Sequence, residues 1–241
     1  MNYVGGNAMS LQAELKQYLL QQGVSDVGFG QVLDEPKGFM GGCGHFVSLA
    51  VKLSDAIVDE ITTEPTHTYF NHYRSVNAFL DQMLLKTGLF LDRAGYRYIT
   101  VAASQSINKD GWNYDGRYSH KKAACLAGLG TIGKSSLFLH REYGSRVRLG
   151  TVFTDCAFET EQAKPVSVCG GCRLCVDACP SGAILGGEWQ VGTARSEIFD
   201  PEKCSRHMKE KYKHIGRGAV CGVCMRVCPQ ACKRLQTVQK S

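Results

Sequence analysis

Between positions 169 and 180 the chain reads CGGCRLCVDACP, three cysteines at two-residue spacing, a fourth three residues on, and a proline directly after it. This run of Cys169, Cys172, Cys175 and Cys179 restricts the fold more than any other stretch. A loop so spaced wraps three thiolates around one iron–sulfur cube, while the fourth thiol, next to proline, reaches a neighbouring cube. Cys221, Cys224 and Cys228 before Pro229 form a second half-run, and the isolated Cys204 completes a set of eight. Two-cluster logic then assigns Cys169, Cys172, Cys175 and Cys228 to one [4Fe-4S] cluster, and Cys179, Cys204, Cys221 and Cys224 to the other. Neutral residues between the ligands, such as Gly170, Ala178 and Gly222, leave backbone N–H groups able to point at sulfur, which stabilises added electrons. Structural zinc in two four-cysteine sites is the competing reading, and it fits this spacing poorly. Cys43, Cys125, Cys156 and Cys232 are left over and read as small buried hydrophobes.

The chain has 12 cysteines in 241 residues, and its opening MNYVGGNAMS lacks a basic stretch followed by an apolar one. Metal ligation in a cytoplasmic protein is therefore expected rather than the disulfides of an exported one. No run of about 18 apolar residues is present, so a membrane span is not expected. The formal charge is +6, but thiolates on two cubes would remove about four units, so basicity gives no reason to expect a nucleic-acid partner. A hydrophobic content of 44% supports one sizeable core with a smaller domain beside it. The expected division is 1–160 and 161–241, with a linker around ETEQAKPVSV at 159–168.

Apolar spacing predicts a short helix over 10–22 behind Ser10 and a long one over 66–94, with Gly88 as a weak point. The runs 45–53, 96–104 and 147–155 read as strands alternating with helices, an α/β pattern. The glycine-rich GFMGGCG before the first strand reads as a loop able to approach something bulky. Residues 105–118 form a polar loop with two Asp-Gly turns, long enough to carry a site. The segment 119–127 reads as a helix capped by Ser119. After it, GLGTIGKS at 128–135 satisfies both the dinucleotide and the phosphate-loop signatures. Each needs a strand running into the glycines and a helix leading out, whereas here a helix precedes them and SSLFLHREYG leaves room for only about two helical turns. A nucleotide site is thus not favoured, although Asp155 after VRLGTVFT could mimic a metal-binding aspartate.

The stretch from Ser119 to Asp155, with AGLG-x-x-GK, then YGS, then LG-x-V-x-TD, followed by the cysteine runs, resembles the epoxyqueuosine reductases and the reductive dehalogenases. The resemblance covers most of residues 66–229, and Cys204 stands where that family places its isolated cysteine. It implies a nitroreductase-like α+β core followed by a bacterial two-[4Fe-4S] ferredoxin-like domain, with cobalamin held between them. Electrons from a reduced ferredoxin- or flavodoxin-type donor would pass through the clusters to cobalt and on to a small-molecule substrate. Gly128, Gly130, Gly133, Lys134, Ser135, Tyr143, Gly144 and Ser145 become the implied cofactor contacts, the glycines letting backbone approach a flat macrocycle.

The family's acidic proton donor has Asp115 in NYDGR as its nearest counterpart, with different flanks. Other candidates are Tyr69, Tyr73 and His120, with His72 and Tyr114 nearby in sequence. Trp112 could stack on a ring or cover the core. The sequence ends soon after Cys228 without the helical repeats linked to tRNA engagement, so epoxyqueuosine on tRNA is not the expected substrate. Two alternatives stay open: a non-catalytic electron-transfer protein serving a redox partner such as a corrinoid protein, and a flavin in place of cobalamin.

Overall fold

The structure is a computed structural model that describes residues 9–32, 38–107, 114–160 and 166–232. Its longest element is α3, His67–Arg93, which begins where the Thr66 hydroxyl accepts a hydrogen bond from the Tyr69 N–H at 3.0 Å. Apolar side chains at helical spacing, among them Val76, Leu80, Met83, Leu84 and Leu91, give α3 one buried stripe. That stripe lies on a four-stranded sheet in the order β1-β2-β6-β3, formed by Asp26–Gln31, His45–Lys52, Val147–Thr154 and Tyr98–Val101. All three pairings are antiparallel, with Val47 opposite Val152 and Ile99 opposite Phe153. The alternation of helices and strands along the chain therefore produces an α+β core rather than a parallel sheet.

Two glycines set close contacts in this layer. A Cβ on Gly88 would come within 2.2 Å of the Tyr98 ring, so the weak point in the helical pattern is where β3 crosses α3. A Cβ on Gly30 would likewise meet the Phe46 ring at 2.2 Å. Strand β1, DVGFGQ, lies outside the strands expected from the sequence because its two glycines depress strand propensity. Helix α1, Leu11–Gln21, adds Leu15 and Leu19 to the core, each wholly buried and each contributing about 1.5–3 kcal/mol.

The other face of the sheet carries α4, His120–Leu126, and a hairpin of β4, Gly130–Ile132, with β5, Phe138–His140. Ala50, Ala124, Cys125, Leu129, Ile132, Phe138 and Leu149 form its apolar seam. The segment after Gly133, expected to have room for a short helix, is a strand: Phe138, Leu139 and His140 are all buried. A Cβ on Gly130 would sit 2.1 Å from the Leu139 carbonyl oxygen, so glycine is what allows this close pairing. The cysteine-rich segment does not stand apart from these layers. Ile215, Val220, Val223 and Met225 are buried in the same cluster as Leu15, Val47 and Leu80. At the root of β6 the fully buried Arg146 donates to the Asp55 carboxylate at 3.1 Å and to Asp59 at 2.7 Å, both on α2, Asp55–Asp59. Arg226, on α8 (Val223–Arg226), also reaches Asp59, at 3.4 Å. Among the described residues no helix is long and apolar enough to cross a membrane.

Candidate metal centres and adjoining cleft

Two short helices, α5 (Leu174–Asp177) and α8, pack against each other, each next to cysteines of one run, and α7 (Pro201–Lys211) carries Cys204 alongside. The thiols fall into two neighbourhoods. Burial, then the charges of Cys228, Cys169 and Cys172, push the Cys175 thiol up to about 11. Burial, then Cys221 and Cys179, push Cys204 up to about 12. Cys224 is pushed higher still by burial and by Cys221, Cys204 and Cys179, with Cys175 as a more distant neighbour. The first group thus holds 169, 172, 175 and 228, the second 179, 204, 221 and 224, and the two adjoin.

Cys179 goes the opposite way. Burial would raise its thiol, but the Ser181 hydroxyl at 3.3 Å and the backbone N–H groups of Ala183, Ser181 and Ile184 outweigh it and favour the thiolate. Among the described residues no three His, Cys, Asp or Glu side chains converge closely enough to hold a single metal ion. In a four-iron cube each cysteine sulfur binds a different iron, so such ligands need not converge on one point. Cys43, Cys125 and Cys156 are buried elsewhere in the molecule; the side chain of Cys232 lies outside the description.

Beside these thiols opens a cleft of about 820 Å³, within the range of sites that take cofactors. One wall comes from α4 and the hairpin, with His120, Lys121, Ile132 and Phe138. The opposite wall comes from the segment between the two cysteine runs, with Trp189, Val191, Arg195 and Ile198, and Met225 joins it. Apolar walls and a few polar groups are the usual make-up of a cofactor or substrate site.

The expected site residues divide sharply. His120 lines the cleft, but its Nε2 donates to the Ala102 carbonyl at 3.0 Å and its Nδ1 accepts from the Thr151 hydroxyl at 2.8 Å. Burial holds it below the usual histidine range, so it is neutral with both nitrogens engaged. The Tyr73 hydroxyl lies behind Arg148, 3.0 Å from the Ser104 hydroxyl, with the guanidinium 4.5 Å above its ring. Burial would raise that phenol, yet the charge of Arg148 and the hydrogen bonds of Ser104 and Asn77 bring it below its ordinary value. Tyr69 is buried next to the thiols rather than the cleft, and burial raises it strongly. Asp115 lies at the cleft mouth, paired with Arg195 at 2.9 Å. His72 accepts the Ser54 N–H at 3.0 Å, and Trp112 lies outside the described residues.

Of the eight implied cofactor contacts, Ser145 lines the cleft, and the other seven do not. Gly130 is taken up by the hairpin. Gly133 lies against the thiols, where a Cβ would come within 3.3 Å of the Cys169 sulfur. Lys134 reaches the Gly170 carbonyl and Glu188. The glycine motif therefore seats the hairpin on the cysteine loop, and the backbone approach it permits is to protein. Asp155 accepts from the Arg97 backbone N–H at 2.9 Å and its Nε at 2.7 Å, which accounts for it without a metal. GFMGGCG makes a tight turn with positive φ at Gly38, Gly41 and Gly42, and none of its residues lines the cleft.

Two cleft residues escaped the sequence reading. Lys121 is half-buried, donating to the Ser136 carbonyl at 2.6 Å and hydroxyl at 3.1 Å, and loss of hydration pulls its amine down to about 8. Arg148 lies on β6 between Tyr73 and the cleft. Helical spacing held a signal for the lysine: Lys121 shares a face with the buried Ala124 and Cys125, three and four positions on.

Residues 168–231 match the family of 4Fe-4S double cluster binding domains. The chain is 36% identical over 110 residues to an epoxyqueuosine reductase of Lactococcus garvieae, covering 44% of this chain and 30% of that protein. Identity is also 36% over 118 residues to an epoxyqueuosine reductase of Listeria monocytogenes, covering 47% and 30%. The chain thus spans about a third of the length of these curated relatives. Among solved structures, the catabolic reductive dehalogenase NpRdhA bound to 3-bromo-4-hydroxybenzoic acid superposes with a TM-score of 0.72 at 19% identity, over 94% of this chain and 33% of that one. An epoxyqueuosine reductase with an epoxyqueuosine-modified tRNA stem loop gives 0.59 at 21% identity, over 92% and 66%. The resemblance read from AGLG to the cysteine runs is borne out, and the fold is that of these proteins.

Proposed function

We propose that this chain is an iron–sulfur oxidoreductase that passes single electrons through two [4Fe-4S] clusters to a cobalamin in the cleft, and so reduces a small molecule. The observation that carries this reading is the separation of eight thiols into two adjoining fours beside a cleft of cofactor size. Cys169, Cys172, Cys175 and Cys228 would hold one cluster, and Cys179, Cys204, Cys221 and Cys224 the other. When bound, the clusters relay electrons one at a time and the corrinoid supplies a strongly reducing metal.

The chain's own residues have separate tasks. Apolar side chains of the hairpin and of the segment around Ile198 line the cleft and would keep water from a bound cofactor's covered faces. Lys121, held at about 8 and aimed by Ser136, is matched to giving up a proton near neutral pH. Arg148 keeps Tyr73 acidic and in place behind that wall. His120, with both nitrogens engaged, is a positioning residue. Residues 1–160 would chiefly shape the cofactor site and 161–241 the clusters.

Protein purified anaerobically with cobalamin supplied should contain about eight irons per chain and stoichiometric cobalt. Cys175→Ser should lose about half of that iron. Zinc in place of iron would end the cluster assignment, and flavin in place of cobalt would change the occupant of the cleft. A second reading, an electron-transfer protein without a substrate of its own, is favoured by the engagement of Asp115 with Arg195 and of His120 with Ala102 and Thr151; iron at full content without cobalt would select it. The relative solved with a tRNA stem loop makes RNA the alternative substrate, tested by binding of such a stem loop.

A further inference from the structure

Resting on the cluster reading above, we infer that the outward face of α7 and the turn after it is the docking surface for an acidic one-electron carrier protein, which delivers its electron to the cluster held by Cys204. From Pro201 to Arg217 the chain has six lysines and arginines against two glutamates, and all six cations are exposed. Three of them, Lys203, Arg206 and Lys209, recur every third residue and so make one stripe along the helix. Cys204 is on the same helix, turned inward among Cys221 and Cys179. The basic stripe and the ligand are therefore separated by the thickness of a single helix, about 10–12 Å.

Further contacts hold this face against the segments that carry those thiols. The Lys203 ammonium passes over the loop that follows Cys179, 3.4 Å from where a Cβ on Gly182 would lie. The turn at Gly216–Gly218 folds back onto α7, with no room for a Cβ between Gly218 and the Met208 carbonyl at 2.4 Å. Tyr212 is buried and donates to the Thr63 carbonyl at 3.1 Å, which fixes the end of the helix on the body. The cations are thus presented on a rigid mount over the metal site. Opposing carboxylates within the stripe are weak: Glu202 meets Arg206 at 4.0 Å between exposed side chains.

A solvated charged face is common on any protein. What directs this one to a carrier is that the helix bearing it also bears Cys204, and charge complementarity governs the encounter rate of redox proteins. In the transfer one electron leaves the carrier, which is oxidised, and one cluster gains it; no bond is made or broken and no proton need move.

The test follows cluster bleaching by stopped flow in the full chain, with a photoreduced acidic flavodoxin as carrier and dithionite as a small reductant. The native rate with flavodoxin should fall steeply between low and high salt. The triple variant Lys203→Glu, Arg206→Glu, Lys209→Glu should keep its iron and its bleaching by dithionite while flavodoxin reduces it about tenfold or more slowly at low salt. A native rate indifferent to salt, or a variant reduced by flavodoxin at the native rate, overturns the proposal, and so does a variant that loses affinity for an RNA stem loop but not for the carrier. If the variant loses iron, the salt dependence of the native chain decides alone. A native chain that dithionite cannot bleach overturns the cluster reading itself and the docking surface with it.

Discussion

Lys121 shows how one half-buried charge makes stability depend on pH. Burial lowers its amine to about 8 from an ordinary value of 10.5. Below pH 8 the ammonium is charged in both states, and the folded chain bears the full cost of burying it. Between about 8 and 10.5 the unfolded chain holds a proton that the folded chain has lost, so stability rises with pH; above 10.5 the gain is complete and is about 3 kcal/mol at most. The difference in urea midpoint between the native chain and Lys121→Met should therefore shift in favour of the native chain as pH goes from 7.5 to about 10, and parallel curves would show that the amine is not buried. Carboxylates work in the other direction. Hydrogen bonding and charge from Arg146 lower Asp59 below 3.8, so its contribution is present above that pH and is lost as pH falls through the lowered value.

At the scale of elements, the helices with clear caps and stripes were legible. Ser10 and Ser119 each accept a backbone N–H three residues on, where the sequence placed caps, and Thr66 does the same at the start of the expected long helix. What was not legible is where glycine serves contact rather than conformation. DVGFGQ carries no strand signal in its glycines, and GLGTIGK matched a signature whose glycines here admit a hairpin partner and a cysteine loop. Local spacing cannot report which distant segment comes close. Gly88 offers a measurable instance: alanine gains about 1 kcal/mol of helix propensity, but its Cβ would be 2.2 Å from the Tyr98 ring, and overpacking costs about 1–3 kcal/mol. Gly88→Ala should come out destabilised by about 1 kcal/mol in chemical denaturation; a stabilised variant would mean that the ring moves freely. Of the site, the cysteine groups were readable because short spacing fixes them locally. The cleft was not, because its walls come from α4, the hairpin and the 189–198 segment, which no local pattern joins.

Across the whole molecule, Arg146 ties layers together. It binds Asp55 and Asp59 of α2 from the root of β6, and Arg226 of the cysteine-rich segment shares Asp59. Breaking a fully buried pair costs about 3–5 kcal/mol, but the Asp55 and Asp59 side chains are 36% and 40% exposed, so water takes over part of the loss. Arg146→Leu should lower stability by about 2 kcal/mol in urea unfolding and make the visible absorption of the clusters less persistent in air; unchanged values would show that the layers hold without it. The cleft has a related dependence. Trp189, Arg195, Ile198 and Met225 all lie between Cys179 and Cys228, so the chamber's far wall is strung between the proposed anchor points of the inorganic cubes. Ile198 and Met225 also root that wall in the apolar core, so an injury to the proposed cubes would reach the chamber through a wall that the protein itself still grips.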